Sequence, residues 1–304
     1  MADNIGPAQE TGASLVRPGI FSNLTGELAR MPVLVIMCCV FLLATFFVFI
    51  FADVLAPQHY AKLDLLNRLK APAFMGGLPQ YLLGTDELGR DVLSRLIYGA
   101  RISMSVGILS VGIAISAGTL IGIYSAYAGG KADLIIQRLV DTLMAFPAII
   151  MALALMAALG ASQKNVVVAL VVILLPGAVR VVRSQVLSIK ELDYTLAARA
   201  IGATSTRVML RHILPNVMAT YIVLCTITLG YAIIVEASLS FLGVGIPPDV
   251  PSWGGMLNLG ATTYIDIAPW LVVWPGLAIG IVVFSVNLLG DGLRDVLDPK
   301  LRGR

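Results

Sequence analysis

Few side chains in this sequence stand where covalent chemistry needs them. The stretch Gly129-Gly130-Lys131-Ala132 carries two glycines and the lysine of a phosphate-cradling loop. It lacks the rest: position 125 is Ser125 rather than the opening glycine, and Ala132 has no hydroxyl to offer a metal ion. The two histidines, His59 and His212, are in no metal-ligand spacing and complete no Ser-His-Asp set. Cys38, Cys39 and Cys225 all lie in apolar runs and read as small buried or lipid-facing hydrophobes. Adjacent Cys38 and Cys39 suit neither an ordinary disulfide nor a zinc site. The sequence therefore predicts no catalytic residue, no metal site and no cofactor held by the chain itself. One carboxylate, Glu236, sits inside an apolar run, near its outer end. Carriers driven by protons or sodium keep carboxylates or broken helices at the bilayer midplane. Without such a set, a pump of this design needs an energising partner.

The composition says what surrounds these residues. Of 304 residues, 58% are hydrophobic and 13% charged, and the mean hydropathy is +0.89. A soluble domain carries about 25% charge and about 45–50% apolar residues. A disordered chain is excluded, and a soluble enzyme is disfavoured. The net charge of +3 is too small for a nucleic-acid binder. Six apolar runs are each long enough for a helical span of roughly 20 residues: 32–51, 102–128, 142–161, 166–182, 217–242 and 269–289. Only helices and closed barrels satisfy the backbone in lipid, and these runs are too long and continuous for barrel strands. The first begins too late and runs too long for a cleaved signal peptide.

Lysine and arginine counts orient the spans. With the N-terminus cytoplasmic, the inner segments hold 14 such residues and the outer ones 7. The expected fold class is thus an all-α membrane protein of six transmembrane helices, with both termini inside. Residues 1–31 form a cytoplasmic tail, with a short interfacial helix near 21–28. Residues 32–56 make the first helix and 57–101 an extracytoplasmic segment. Residues 102–290 make a five-helix core with a cytoplasmic loop at 183–215, and 291–304 form a cytoplasmic tail. Gly118-x-x-x-Gly122 and Gly276-x-x-x-Gly280 predict close helix packing. Pro147, Pro176 and Pro275 predict bends or hinges within spans. The stretch 243–268, with Pro247, Pro248, Pro251 and Trp253, reads as an outer loop that is either a purely structural turn or a surface packed on the mouth or on a docking protein. Asp86, Glu87, Arg90 and Asp91 read either as a salt-bridged start to the second span or as a docking contact.

The loop from Arg183 to Asn216 is the informative one. Asp193 or Thr195 can cap a short helix holding Leu196, Ala197, Ala198 and Ala200. Gly202 supplies the turn. Thr204 or Ser205 caps a second short helix that ends at Leu214, before Pro215. The product is a helix–turn–helix elbow. Its alanines suit insertion into a groove of another protein, and Arg199, Arg207 and Arg211 can pair with acids or anionic lipid.

This elbow resembles the coupling loop of permeases of ATP-driven (ABC) importers, whose pattern is E-A-A-x-x-x-G followed by I-x-L-P. Ala197, Ala198, Gly202, Leu214 and Pro215 match it, while Leu196 and His212 replace the Glu and Ile. Three further stretches resemble signatures of the C-type permease of dipeptide, oligopeptide and nickel importers. They are LGTDELGRDVLSRLIYGARIS from Leu83 to Ser103, EASLSFLGVGIPP from Glu236 to Pro248 together with PSWGG from Pro251 to Gly255, and NLLGDGLRDVLDP from Asn287 to Pro299. The resemblance covers residues 30–302. It implies a type I importer permease in the bacterial cytoplasmic membrane. Its partners would be a related second permease in a heterodimer, two ATPase subunits or domains docked on the coupling loops, an extracytoplasmic substrate-binding protein and lipid, but no nucleic acid. ATP and magnesium would sit on the ATPases. The implied coupling residues are Leu196, Ala197, Ala198, Arg199, Gly202, Leu214 and Pro215. Candidate outer-mouth or binding-protein contacts are Asp86, Glu87, Arg90, Glu236, Pro247 and Trp253. Peptides are the implied cargo, with nickel chelates, opines, glutathione or small glycans as alternatives.

Overall fold

The computed structural model describes residues 33–297, so the expected tail 1–31 and the end of the C-terminal tail lie outside the described residues. Among the described residues the regular structure is helical, apart from one isolated bridge between Thr85 and Asp91. Helix α1 (Val33–Leu55) is followed by the outer segment, with short 3-10 turns at Leu65–Asn67 and Ala73–Met75. Then come α2 (Val92–Ala128), α3 (Gly130–Met144), α4 (Ala148–Leu159) and α5 (Gln163–Ile189). The elbow helices are α6 (Asp193–Ala200) and α7 (Ser205–Val208). A π turn (Met209–Ile213) leads into α8 (Leu214–Phe241), followed by α9 (Trp253–Thr263) and α10 (Trp270–Leu297). Five helices are long and apolar enough to cross a membrane, and the bent pair α3 and α4 makes a sixth crossing if counted as one span.

Several boundaries differ from the sequence reading for identifiable reasons. Helix α2 starts at Val92, not Ile102, because the Asp91 carboxylate accepts from Ser94 N–H and caps it there. The third span is broken at Pro147, and α3 and α4 meet at 87°. Twelve residues of α4 reach roughly 18 Å, too short for a bilayer core of about 30 Å. The polar residues Lys131, Asp133, Arg138 and Asp141 keep α3 amphipathic. Residues 243–268, read as a loop, contain the 11-residue helix α9. Its glycines hid it: they weaken helix propensity, yet a Cβ on Gly254 would lie 2.4 Å from the Ala237 carbonyl oxygen of α8.

The two glycine pairs have opposite fates. A Cβ on Gly118 would stand 2.6 Å from Ala178 Cβ, and one on Gly122 would stand 2.8 Å from Val179 O. Here α2 and α5 touch backbone to backbone, as expected. Gly280 has nothing within 4 Å, and Gly276 has only Leu257 Cδ2 at 3.8 Å. The second pair does not pack helices within this chain. The α8–α10 contact uses Gly230 against Asn287 and Gly290 against Thr226 instead.

The main apolar core joins α2, α4, α5 and α8 through Val106, Ala114, Ile115, Met156, Leu170, Val235 and Leu239. Helix α1 lies outside it, packed on α2 and α10 through Leu42, Val48 and Phe49. Most of its large side chains, such as Met37, Leu43 and Phe47, face outward. Overpacking a tight contact costs about 1–3 kcal/mol. Gly118→Leu is therefore expected to lower the thermal stability of the purified chain in detergent on that scale. Gly280→Leu, in open space, is expected to leave it unchanged. Equal loss by both would place the tight seam elsewhere.

Candidate coupling elbow and outer cluster

At one end of the bundle the elbow is built as a Schellman turn. Gly202 has φ +83°, its N–H donates to Arg199 O (3.0 Å), and Ala203 N–H donates to Ala198 O (3.1 Å). A side chain at 202 would meet no atom within 4 Å, so its glycine is required by backbone conformation rather than by space. The N-terminal cap differs from expectation. Leu192 holds that position without a side-chain bond, and Thr195 is buried inside α6, its hydroxyl donating to Ile189 O (3.1 Å). Thr204 caps α7 as expected, accepting from Arg207 N–H.

The second arm does not stop at Leu214. It runs through the π turn into α8, and Ser205–Phe241 forms one apolar span. Proline has no N–H to donate, and Pro215 lies in the first turn of α8, where none is needed. The wider π turn absorbs the register change, with Leu214 N–H bonded to Met209 O, and Asn216 Nδ2 donates to His212 O (2.6 Å). The arm is fastened by Val208, Ile213 and Val217, which pack on Ile123 and Ala126 of α2 and on Val182, Val186 and Ile189 of α5. Lys190 Nζ reaches the Ala126 carbonyl at 3.3 Å. Asp133 of α3 receives Arg183 of α5 through two bonds (2.5 and 2.7 Å) and Ser125 Oγ of α2 (2.5 Å). Of the expected coupling residues, Leu196, Ala197, Arg199, Gly202 and Pro215 are exposed. Ala198 is buried and Leu214 half-buried.

The opposite end carries the outer cluster. Asp86 and Arg90 are only 4% and 6% exposed. Arg90 Nε donates to Asp86 Oδ2 (2.6 Å) and Arg90 NH2 to Glu87 Oε1 (2.7 Å), and Arg95 lies 3.5 Å from Asp86. The other Asp86 oxygen accepts from the backbone of Leu88 and Arg90 (2.9 Å each). Gly89, at φ +74°, closes this turn where a Cβ would collide with Asp64 O at 1.7 Å. Asn67 and Tyr81 donate to Asp64 and hold its carboxyl below the usual carboxylate range. The charged pattern thus builds a salt-bridged start to α2, and of the three candidate contacts here only Glu87 is half-exposed. Trp253 is likewise inside. Its indole N–H donates to Leu96 O (3.0 Å) and its backbone N–H to Ser103 Oγ (3.4 Å). Glu236 is fully buried, accepting from Ser240 Oγ at 3.0 Å. Pro247 is half-buried, beside the exposed Pro248 and Asp249. Sequence reasoning missed Thr85, whose hydroxyl donates to Asn67 O (2.6 Å) and accepts from Lys70 N–H (2.8 Å). A lone threonine in a loop carries no spacing signal.

The chain is thus a multi-span helical core with an elbow packed on it at one end and a salt-bridged cluster at the other. Residues 118–303 match the family described as the binding-protein-dependent transport system inner membrane component. The dipeptide transport system permease protein DppC of Alkalihalophilus pseudofirmus is 41% identical, covering 83% of this chain and 81% of that protein. The di/tripeptide transport system permease protein DppC of Pseudomonas aeruginosa is 43% identical over 86% of each. The glutathione transport system permease protein GsiD of Pectobacterium atrosepticum is 43% identical, covering 81% and 79%. Among solved structures, an inward-facing MetNI methionine ABC transporter chain shares the fold, with a TM-score of 0.55 at 18% identity over 67% of this chain and 96% of that one. The chain belongs to the binding-protein-dependent inner-membrane permease family. It is a multi-pass transport subunit with the type I permease fold.

A strained residue in the left-handed region costs about 1–3 kcal/mol. Gly202→Val is therefore expected to spare membrane insertion and abolish transport. Gly202→Asn, which tolerates that region, is expected to retain much of it. Equal activity of wild type and Gly202→Val would show that the turn geometry is dispensable.

Proposed function

We propose that this chain is one of two related permease subunits of an ATP-driven importer of di- or oligopeptides. It forms half of the translocation path. A binding protein delivers substrate at the outer end, and two ATPase subunits or domains dock on the elbows. ATP and magnesium belong to those partners. The observation that carries the reading is the 41–43% identity to dipeptide and di/tripeptide permeases over more than four fifths of the chain. The elbow supports the mechanism. Its second arm is held on α2 and α5 by buried contacts and continues into α8, so a push on that arm moves helices as a body.

Within the chain, several side chains have defined tasks. Asp91 fixes where α2 begins, and Asp86 with Arg90 fixes the outer turn. Ser103 and Leu96 hold Trp253, which seats α9 against α2. Asp133 and Arg183 tie the broken span to α5 near the elbow. Glutathione is the second cargo, on the 43% identity to a glutathione permease.

The test is uptake in vesicles holding the complete transporter and its binding protein, with labelled dipeptides, longer peptides and glutathione offered separately. Uptake is expected to follow ATP hydrolysis, to survive a protonophore, and to favour a peptide. Transport that collapses with the proton gradient would overturn the energy source. Exclusive transport of a non-peptide would overturn the cargo.

A further inference from the structure

The elbow is a ridge on one side and a cleft on the other. Tyr194 and Ala198 of α6 form one wall of a hollow of about 500 Å³, Arg207, Arg211 and His212 form the other, and Ile201 stands at its rim, 86% exposed. No acidic residue among the described residues lines it. Among the described residues, Arg199, Arg207 and Arg211 have no carboxylate within 4.0 Å, whereas Arg180 and Arg183 are paired with Asp141 and Asp133. Asp193 and Glu191, the neighbouring acids in the chain, lie at or before the N-terminal end of α6 and do not border the cleft. The pattern's glutamate is Leu196, 41% exposed, so the elbow itself offers no carboxylate on that turn.

We propose that this cleft receives an acidic side chain, with an apolar neighbour, protruding from the partner ATPase. The elbow would then be a socket as well as a ridge. The inference rests on the proposed function and specifies its docking chemistry. Arginine forks bind carboxylates through paired, charge-assisted hydrogen bonds. The exposed Ile201 and the alanine wall call for an apolar contact at the same place.

The experiment uses the full transporter in nanodiscs of neutral phosphatidylcholine. It measures ATPase retained on the permease pair as salt rises from about 0.1 M to about 1 M, which shortens the Debye length from about 10 Å to about 3 Å. The wild type is expected to lose ATPase steeply with salt. Arg207→Gln with Arg211→Gln is expected to bind roughly tenfold or more weakly, the scale of one charge-assisted contact, and to lose most of the salt dependence. Ile201→Ala is expected to weaken retention without changing the salt slope. Unchanged yield of the permease pair shows that the variants fold. If wild type binds its ATPase but the double variant keeps the same affinity and salt slope, the socket is wrong and the proposed function stands. If salt dependence appears only in anionic lipid discs, the arginines serve lipid and the socket is wrong. If no ATPase is retained by wild type at any salt, the proposed function itself fails.

Discussion

The seam between α2 and α5 is the contact on which the other packing depends. Lipid offers helices little hydrophobic reason to associate, so close van der Waals contact must do more of the work than in water. Gly118 and Gly122 leave α2 with no side chain where Ala178 and Val179 of α5 arrive. Below this point the same two helices present Ile123, Ala126, Val182, Val186 and Ile189 to the elbow. Above it they bury Val106, Ala114, Leu170 and Leu174 with α4 and α8. A seam spread by one methyl-sized layer would separate both sets of partners.

Helix α2 is the member that reaches both ends. Its start is set by the Asp91 cap and pinned by the Asp86–Arg90 turn, and Trp253 lies against its first turns. Its end supplies Ser125, Ala126 and the anchors of the elbow. The buried ion pairs sit at the end where α2 begins and fix a turn there, a half-buried pair, Asp133–Arg183, lies near the elbow, and the middle is left to close packing. Breaking such a buried pair leaves an uncompensated charge, so these contacts hold geometry more than they add stability. The second arm of the elbow is accordingly an extension of the α2–α5 unit.

Much of this was legible in the sequence, and the failures share a cause. Long apolar runs gave the spans, because lipid imposes one requirement along some 20 residues. The Gly202 turn was legible because a left-handed cap needs a particular residue. The first glycine pair packed as its spacing implied, but Gly276 and Gly280 did not, since spacing cannot say which neighbour a small residue faces. Helix α9 was missed because its glycines, placed for contact with α8, erase the local helix signal. Pro147 reads as a bend or hinge within one span, and the chain instead breaks there into two helices at 87°. Pro215 reads in the sequence as a terminator, and the π turn before it shows how a helix can instead carry the proline in its first turn. Asp86, Arg90 and Trp253 were recognisable as special residues. That they point inward is decided by Gly89, Thr85 and Ser103, none of which has a distinguishing spacing.

The central claim is that elbow and α2–α5 unit move as one body. Spin labels at the exposed Ile201 and Tyr124, with Cys38, Cys39 and Cys225 replaced, report the distance between them by pulsed electron resonance in the assembled transporter. The account predicts one narrow distance distribution that is the same without nucleotide and with ATP bound. A shift of several ångströms or a broadening between the two states would contradict it, because the elbow would then flex on its stem rather than drive the helices.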